Sequence, residues 1–491
     1  MSITWSDTAA GAARLGPAFA EAAGVASDAV RSAPASADVA GVAPASLDAA
    51  RLVPADRVVV PFAGPGAGTG PLSWGQIENW NAIRALGHWM PIGGVEPVPP
   101  GTTVADVVAD VEFLMSRFVT MRTRLLLAPG AAPRQQVAAA GELTVEIYDA
   151  GTVDAAAVAE AVAERYRTAP FDFTAEWPVR IALIRADGTP TRLVTLLSHF
   201  AADGSAAQTM LREIAEKPRD PVDGLSPLEQ ARWQHSPAGQ RQNASAQRYF
   251  EGTLRAMPAL RFRTPEAPRS PRYWRAVLES AALPRGLRAL TDRTGADSSV
   301  TLLAVYAVAV HETFGVHPVV VRPMVNNRFR PGLGDIVCTV VQPGLCLLDV
   351  AGADLDEVVR RTERVALSTY KHAYFDQRGL FTLLDRVGRE RGEHLEIGCF
   401  LNDRRMAADP PEAPAFPSTV RWVRKQDSPG FEPLIVDVED IPGGLRCTAH
   451  TDTRWISPED TEALLHAMEA VAARSTVDRP TAPANEAVTA G

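Results

Sequence analysis

Cysteine is scarce: Cys338, Cys346, Cys399 and Cys447 are the four in the chain, and none stands in C-x-x-C spacing. Without it, the four read as buried thiols of a reducing compartment in preference to a disulfide or metal role. Basic charge is not in surplus either. With 49 Lys and Arg against 58 Asp and Glu, the net charge of −9 argues against a nucleic-acid protein, which needs a basic face to neutralise phosphate. The longest apolar stretch, residues 300–310, falls short of the roughly 18 residues a membrane span requires. The opening M-S-I-T-W-S-D-T lacks a basic segment followed by an apolar one, so the expectation is a cytoplasmic protein without a signal peptide.

Three chemical motifs also fail. His311-Glu312 is followed at the fourth position by Gly315 rather than histidine, so no H-E-x-x-H zinc site forms, and no metal is expected. The glycine-rich residues 64–70 lack G-K-[S/T] and run into Pro71, so they read as a loop and not a phosphate cradle. Ser205 lacks the G-x-S-x-G setting, and no Ser or Cys has a partner base, so no covalent acyl intermediate is expected.

What is present is length. A chain of 491 residues exceeds a single core and suits two lobes with tails. Residues 1–57 are Ala-rich with few large apolar side chains, and read either as a flexible connector or as a weak helix that docks on the body. A first lobe is expected over 58–263 and a second over 272–475, joined by the proline-rich 264–271 and followed by a tail over 476–491.

Residues 193–204, L-V-T-L-L-S-H-F-A-A-D-G, organise the first lobe. The apolar run is of strand length and ends at Ser198-His199. Asp203-Gly204 then precedes S-A-A-Q-T-M-L-R-E-I, whose composition predicts a helix opening at the glycine. An imidazole can exchange a proton near neutrality, and a helix start offers unpaired N–H groups to a developing oxyanion. The plainer alternative is that His199 is a satisfied core histidine and Asp203 an N-cap.

Upstream, Pro170-Phe171-Asp172-Phe173, Pro178 and Arg180 stand at fixed distances before that loop. Together these segments resemble the condensation domains of nonribosomal peptide synthetases, within the HHxxxDG acyltransferase superfamily. Further landmarks in register are P-L-S-W-G-Q-I-E-N-W at 71–80, Arg122-Thr123 within a V-T-M-R-T-R-L run, Asn327-Arg328, and Val340-Val341-Gln342. Ser73 and Gln76 there also form a capping-box pattern. The resemblance covers roughly residues 71–471. Two departures stand out: Ser198 replaces the first histidine of the pair, and the D-F-G-W-G signature of plant-type acyltransferases is missing.

The resemblance implies an α/β fold of two chloramphenicol-acetyltransferase-like lobes in a V-shaped pseudo-dimer with a central tunnel. It implies that His199 is the catalytic histidine, that Asp203 is structural and pairs with Arg180, and that Ser198 holds the loop. Asn327 and Arg328 fall where substrate would bind. Function is then expected to be that of a stand-alone condensation enzyme. It would transfer an acyl or aminoacyl group from a phosphopantetheine thioester, delivered by a carrier protein or coenzyme A, to an amine or alcohol. His199 would take the acceptor's proton and N–H groups near Gly204 would steady the oxyanion, with no bound cofactor. The alternative is a non-catalytic condensation-like domain that recruits partner enzymes to carrier-bound intermediates.

Overall fold

The computed structural model describes residues 52–476, apart from 223, 260–261, 263–264, 266–268, 407–415, 429 and 431. The expectations for residues 1–51 and 477–491, and for half of the linker at 264–271, therefore lie outside the described residues.

From the N-terminal side the elements are β1 (Asp56–Ala63), β2 (Gly68–Pro71), α1 (Trp74–Leu86), β3 (Pro91–Pro97) and α2 (Val104–Arg117). β4 (Thr123–Leu126), β5 (Arg134–Val137), β6 (Ala140–Asp149), α3 (Ala155–Thr168), β7 (Val179–Ala186) and β8 (Thr189–Ser198) follow. Then come α4 (Gly204–Glu216), α5 (Pro227–His235), α6 (Pro237–Ala256), β9 (Tyr273–Ser280), α7 (Ala282–Thr294) and α8 (Ser298–Phe314). The chain continues through β10 (Val319–Val325), β11 (Gln342–Pro343), β12 (Cys346–Leu348), α9 (Leu355–His372) and α10 (Gln377–Arg391). It closes with β13 (Cys399–Asp403), β14 (Thr419–Gln426), β15 (Leu434–Ile441), β16 (Gly444–Asp452) and α11 (Pro458–Ala473).

These elements form two compact units. The first holds the chain up to Arg255 together with two later segments, Met324–Gly344 and Tyr370–Gly392. The second holds Ala256–Pro323, Leu345–Thr369 and the chain from Glu393 on. This differs from a simple split near residue 264, because segments from the second half of the sequence pack into the first unit.

In the first unit a sheet of order β1-β6-β7-β8-β3 carries the core. Strand parity sorts its side chains: Val179, Ile181 and Leu183 face a cluster shared with α2 and α4, including Val107, Leu114, Ala206 and Met210. Ala182 and Ile184 point the other way, toward Val158, Ala159 and Val162 of α3. The predicted capping box at Ser73 and Gln76 opens α1, which removes orphan donors from a buried helix end. A separate β2-β5-β4 sheet borders it. The later segments join through Leu333, Ile336, Val340 and Tyr374, which share a core with Leu72, Trp74 and Phe200.

The second unit has its own sheet, running β10-β13-β15-β16-β9-β14 with β12 beside β10. Helices α7 and α11 contact its strands, and α8 packs on both helices and on β13. Helix α8 is buried along Val300–Val310, which explains its unbroken apolar run as a core helix.

Candidate active site

Strand β8 ends at Ser198 and α4 starts at Gly204, so His199 sits at a strand tip facing a helix start. The turn between them is pinned by its backbone. Ser198 N–H donates to Pro178 O (2.9 Å), His199 N–H to Met90 O (3.0 Å) and Ala201 N–H to Ser198 O (2.9 Å). Thr120 Oγ1 donates to Ala201 O at 2.6 Å. Met90 itself holds a left-handed backbone, φ 51, a conformation that costs a side-chain-bearing residue about 1–2 kcal/mol. Ser198 is fully buried, its hydroxyl donating to Trp89 O at 3.2 Å and accepting from Phe200 N–H at 3.3 Å. These two bonds tie the end of β8 to Trp89 and to the start of the turn.

The imidazole of His199 is half-buried, as are Gly204 and Ser205, whereas Ala201, Ala202 and Asp203 between them are buried. The exposed edge of the turn is therefore the ring and the first residues of α4. The N–H of Gly204 is among those that have no acceptor within the helix.

Asp203 is 1 % exposed and carries most of the local hydrogen bonding. Its carboxylate caps α4 by accepting from Ala206 N–H (2.9 Å). It also accepts from Arg328 Nη1 (3.0 Å) and Nη2 (2.8 Å), and from Val340 N–H (2.9 Å) and Val341 N–H (3.2 Å). Burial alone would raise its pKa, but the Arg328 guanidinium and these donors hold it below the usual carboxylate range.

The expected Asp203–Arg180 pair does not form. Arg180 lies on the face of β7 that looks to α3, and donates to Tyr166 O (2.8 Å), Pro170 O (2.6 Å) and the Glu176 carboxylate (2.9 Å). Asp203 opens α4 on the opposite face of the same sheet, so strand parity separates them. Arg328, expected to meet substrate, is the real partner. It also donates to Ile336 O (3.0 Å) and Cys338 O (3.1 Å). Asn327, likewise expected at substrate, is fully buried, and its amide donates to Val340 O (2.9 Å) and Ala373 O (3.0 Å). Arg328 holds the segment 324–344 to the turn, while Asn327 ties that segment to itself and to the chain at Ala373. Arg122, one of the landmarks in register, is fully buried and clamps the carbonyls of Gly64 (3.0 Å), Ala138 (2.5 Å) and Pro65 (2.6 Å).

Two contributors were missed from sequence. Asn79, on α1, donates from Nδ2 to His199 O (2.7 Å) and to Thr339 Oγ1 (2.9 Å), and the same nitrogen lies 3.4 Å from His199 Nδ1. Thr339 passes so close to α1 that a Cβ on Gly75 would lie 2.3 Å from its carbonyl oxygen. The only sequence signal was a polar residue within an otherwise capped helix, which by itself points nowhere. No group of His, Cys, Asp or Glu that could hold a metal ion occurs among the described residues. No described helix is long and apolar enough to cross a membrane.

The sequence model for the condensation domain matches residues 106–395. Among curated proteins, malpinin synthetase of Mortierella alpina is 24 % identical over 330 residues, covering 62 % of this chain and 4 % of that much longer protein. Among solved structures, one concerned with condensation-domain-mediated chain release from the enacyloxin polyketide synthase superposes with a TM-score of 0.64 at 19 % identity, covering 87 % of this chain and 86 % of that one. A complex of the X-domain and OxyB from teicoplanin biosynthesis gives 0.62 at 17 % identity, covering 84 % and 94 %.

Proposed function

Because the chain belongs to the condensation-domain family, we propose that it is an acyltransferase that moves an acyl or aminoacyl group from a phosphopantetheine thioester to an amine or alcohol. The donor is delivered on a carrier protein or as coenzyme A, and the product is an amide or ester. The observation that carries this reading is the turn at 198–204, where a half-exposed imidazole stands beside a helix start on a backbone fixed from three other elements.

In the reaction the acceptor nitrogen or oxygen attacks the thioester carbon, the C–S bond breaks with its electron pair going to sulfur, and the acceptor's proton ends on the thiol. His199 meets the reacting atoms, and the N–H of Gly204 supports negative charge on the carbonyl oxygen. Asp203 and Arg328 keep both in place. Holding donor and acceptor together supplies the proximity contribution, which needs no nucleophilic residue of the protein.

A second reading is a recruiting domain without turnover, favoured by Ser198 in place of a histidine and by the likeness to an X-domain solved with OxyB. Incubating the protein with carrier-bound and coenzyme A thioesters and a panel of amines and alcohols, followed by intact-mass detection of product, separates the two. Product above the uncatalysed rate supports the transferase. Its absence across the panel, together with tight binding of a loaded carrier, supports recruitment.

A further inference from the structure

We infer that Asn79 is a positioning residue that fixes the proton of neutral His199 on Nε2, so that the ring presents an N–H donor to the reacting carbonyl. The inference rests on the proposed acyl transfer for its functional meaning, but its structural premise stands separately.

The orientation of the Asn79 amide follows from its partners. His199 O is a carbonyl and can only accept, so the atom 2.7 Å from it must be the NH2 group. That group has two hydrogens, and its second partner, Thr339 Oγ1, accepts at 2.9 Å. The same nitrogen lies 3.4 Å from His199 Nδ1. An amide nitrogen offers no lone pair to an N–H, so a protonated Nδ1 would set two donors against each other. The neutral ring therefore leaves Nδ1 unprotonated, an acceptor sharing an amide hydrogen with the partners at 2.7 and 2.9 Å, and carries its proton on Nε2.

The consequence is chemical. A neutral imidazole with Nε2–H cannot accept the acceptor's proton at Nε2; it donates instead. Directed at the thioester carbonyl oxygen, that N–H strengthens as negative charge develops there, which is electrostatic stabilisation rather than base catalysis. The acceptor's proton then passes to the departing thiolate, and the ring gains and loses nothing overall. This revises the base role first expected for His199. Asn79 is joined to Thr339 and, through the backbone next to it, to Val340 and Asp203. The tautomer is thus set by the same packing that docks the segment 324–344.

The test uses the full chain with 15N-labelled histidine and long-range proton–nitrogen spectra, the His199 signals being assigned by their loss in His199→Gln. The expected pattern is a pyridine-type Nδ1 and a pyrrole-type Nε2 in the wild-type protein. Asn79→Asp, whose carboxylate accepts, is expected to move the proton to Nδ1, and Asn79→Leu to give an averaged mixture. The pair of variants guards against one failing to fold. A pyrrole-type Nδ1 in the wild type, or an unchanged pattern in whichever variant folds, overturns the inference. Should the spectra behave as expected while the wild-type protein forms no product from any carrier-bound or coenzyme A thioester, the transferase reading fails and the tautomer assignment survives.

Discussion

Replacing Asp203 with alanine strands a charge. Arg328 is almost wholly buried, its side chain 10 % exposed, and the substitution removes its carboxylate along with the acceptor for Ala206, Val340 and Val341 N–H groups. Breaking a buried ion pair from one side costs about 3–5 kcal/mol. Because the pair ties the segment 324–344 to the turn bearing His199, the cost is expected to show first as local opening of that segment. At roughly 1.4 kcal/mol per tenfold, amide exchange across 336–342 should quicken by a hundredfold or more, up to the ceiling set by global unfolding. Hydrogen-exchange mass spectrometry on wild type and Asp203→Ala reads this directly. The double variant Asp203→Ala with Arg328→Met should recover part of the loss, since no charge is then left unpaired. Exchange changed by less than threefold in the single variant, or a double variant whose cost equals the sum of the two singles, would refute the reasoning.

Gly75→Ala places a Cβ 2.3 Å from Thr339 O; overpacking of about 1–3 kcal/mol should exceed alanine's helix preference of roughly 0.5–1 kcal/mol, lowering stability in urea titration and weakening product formation. A pH dependence comes from the second unit, where Asp437 accepts from His450 Nε2 at 3.0 Å and from Asn402 Nδ2 at 2.8 Å. Burial would raise the Asp437 pKa, but His450, Arg404 and Asn402 bring it down to about 2. A depressed carboxylate contributes above its unfolded pKa, so about 2 kcal/mol present at neutral pH should be lost as pH falls from roughly 4 to 2. The His450 pKa is also lowered, by burial and then by Arg275, against the pull of Asp437. The unfolded chain therefore binds that proton first, and stability should begin to fall below about pH 6.5. Thermal melts across pH are expected to show both declines, and His450→Gln should abolish the upper one and shrink the lower, because His450 leads the groups that depress Asp437; a flat profile between pH 6.5 and 4.5 in the wild type would contradict the assignment.

Much of this was legible because local signals agreed with one another. The capping box at Ser73, the β8 strand ending at Ser198, the N-cap at Asp203 and the buried helix at 298–314 each follow from short-range chemistry. What escaped was long-range. Arg180 and Arg328 both suit a partner for Asp203, and only the sheet's parity and the return of 324–344 to the first unit decide between them. Arg122 has the look of a strand edge until three carbonyls close on it. Asn79 stands 120 residues from His199 and 260 from Thr339, and no periodicity encodes such a meeting.

The most direct trial of His199 at the centre of acyl transfer is single-turnover chemistry. An acyl group loaded on a carrier protein is mixed with excess amine and protein, and product is followed by rapid quench for wild type, Ser198→Ala and His199→Ala. Loss of about a hundredfold or more in His199→Ala, with Ser198→Ala far less affected and His199→Ala still folded, is the expected result. Equal rates for wild type and His199→Ala would contradict it.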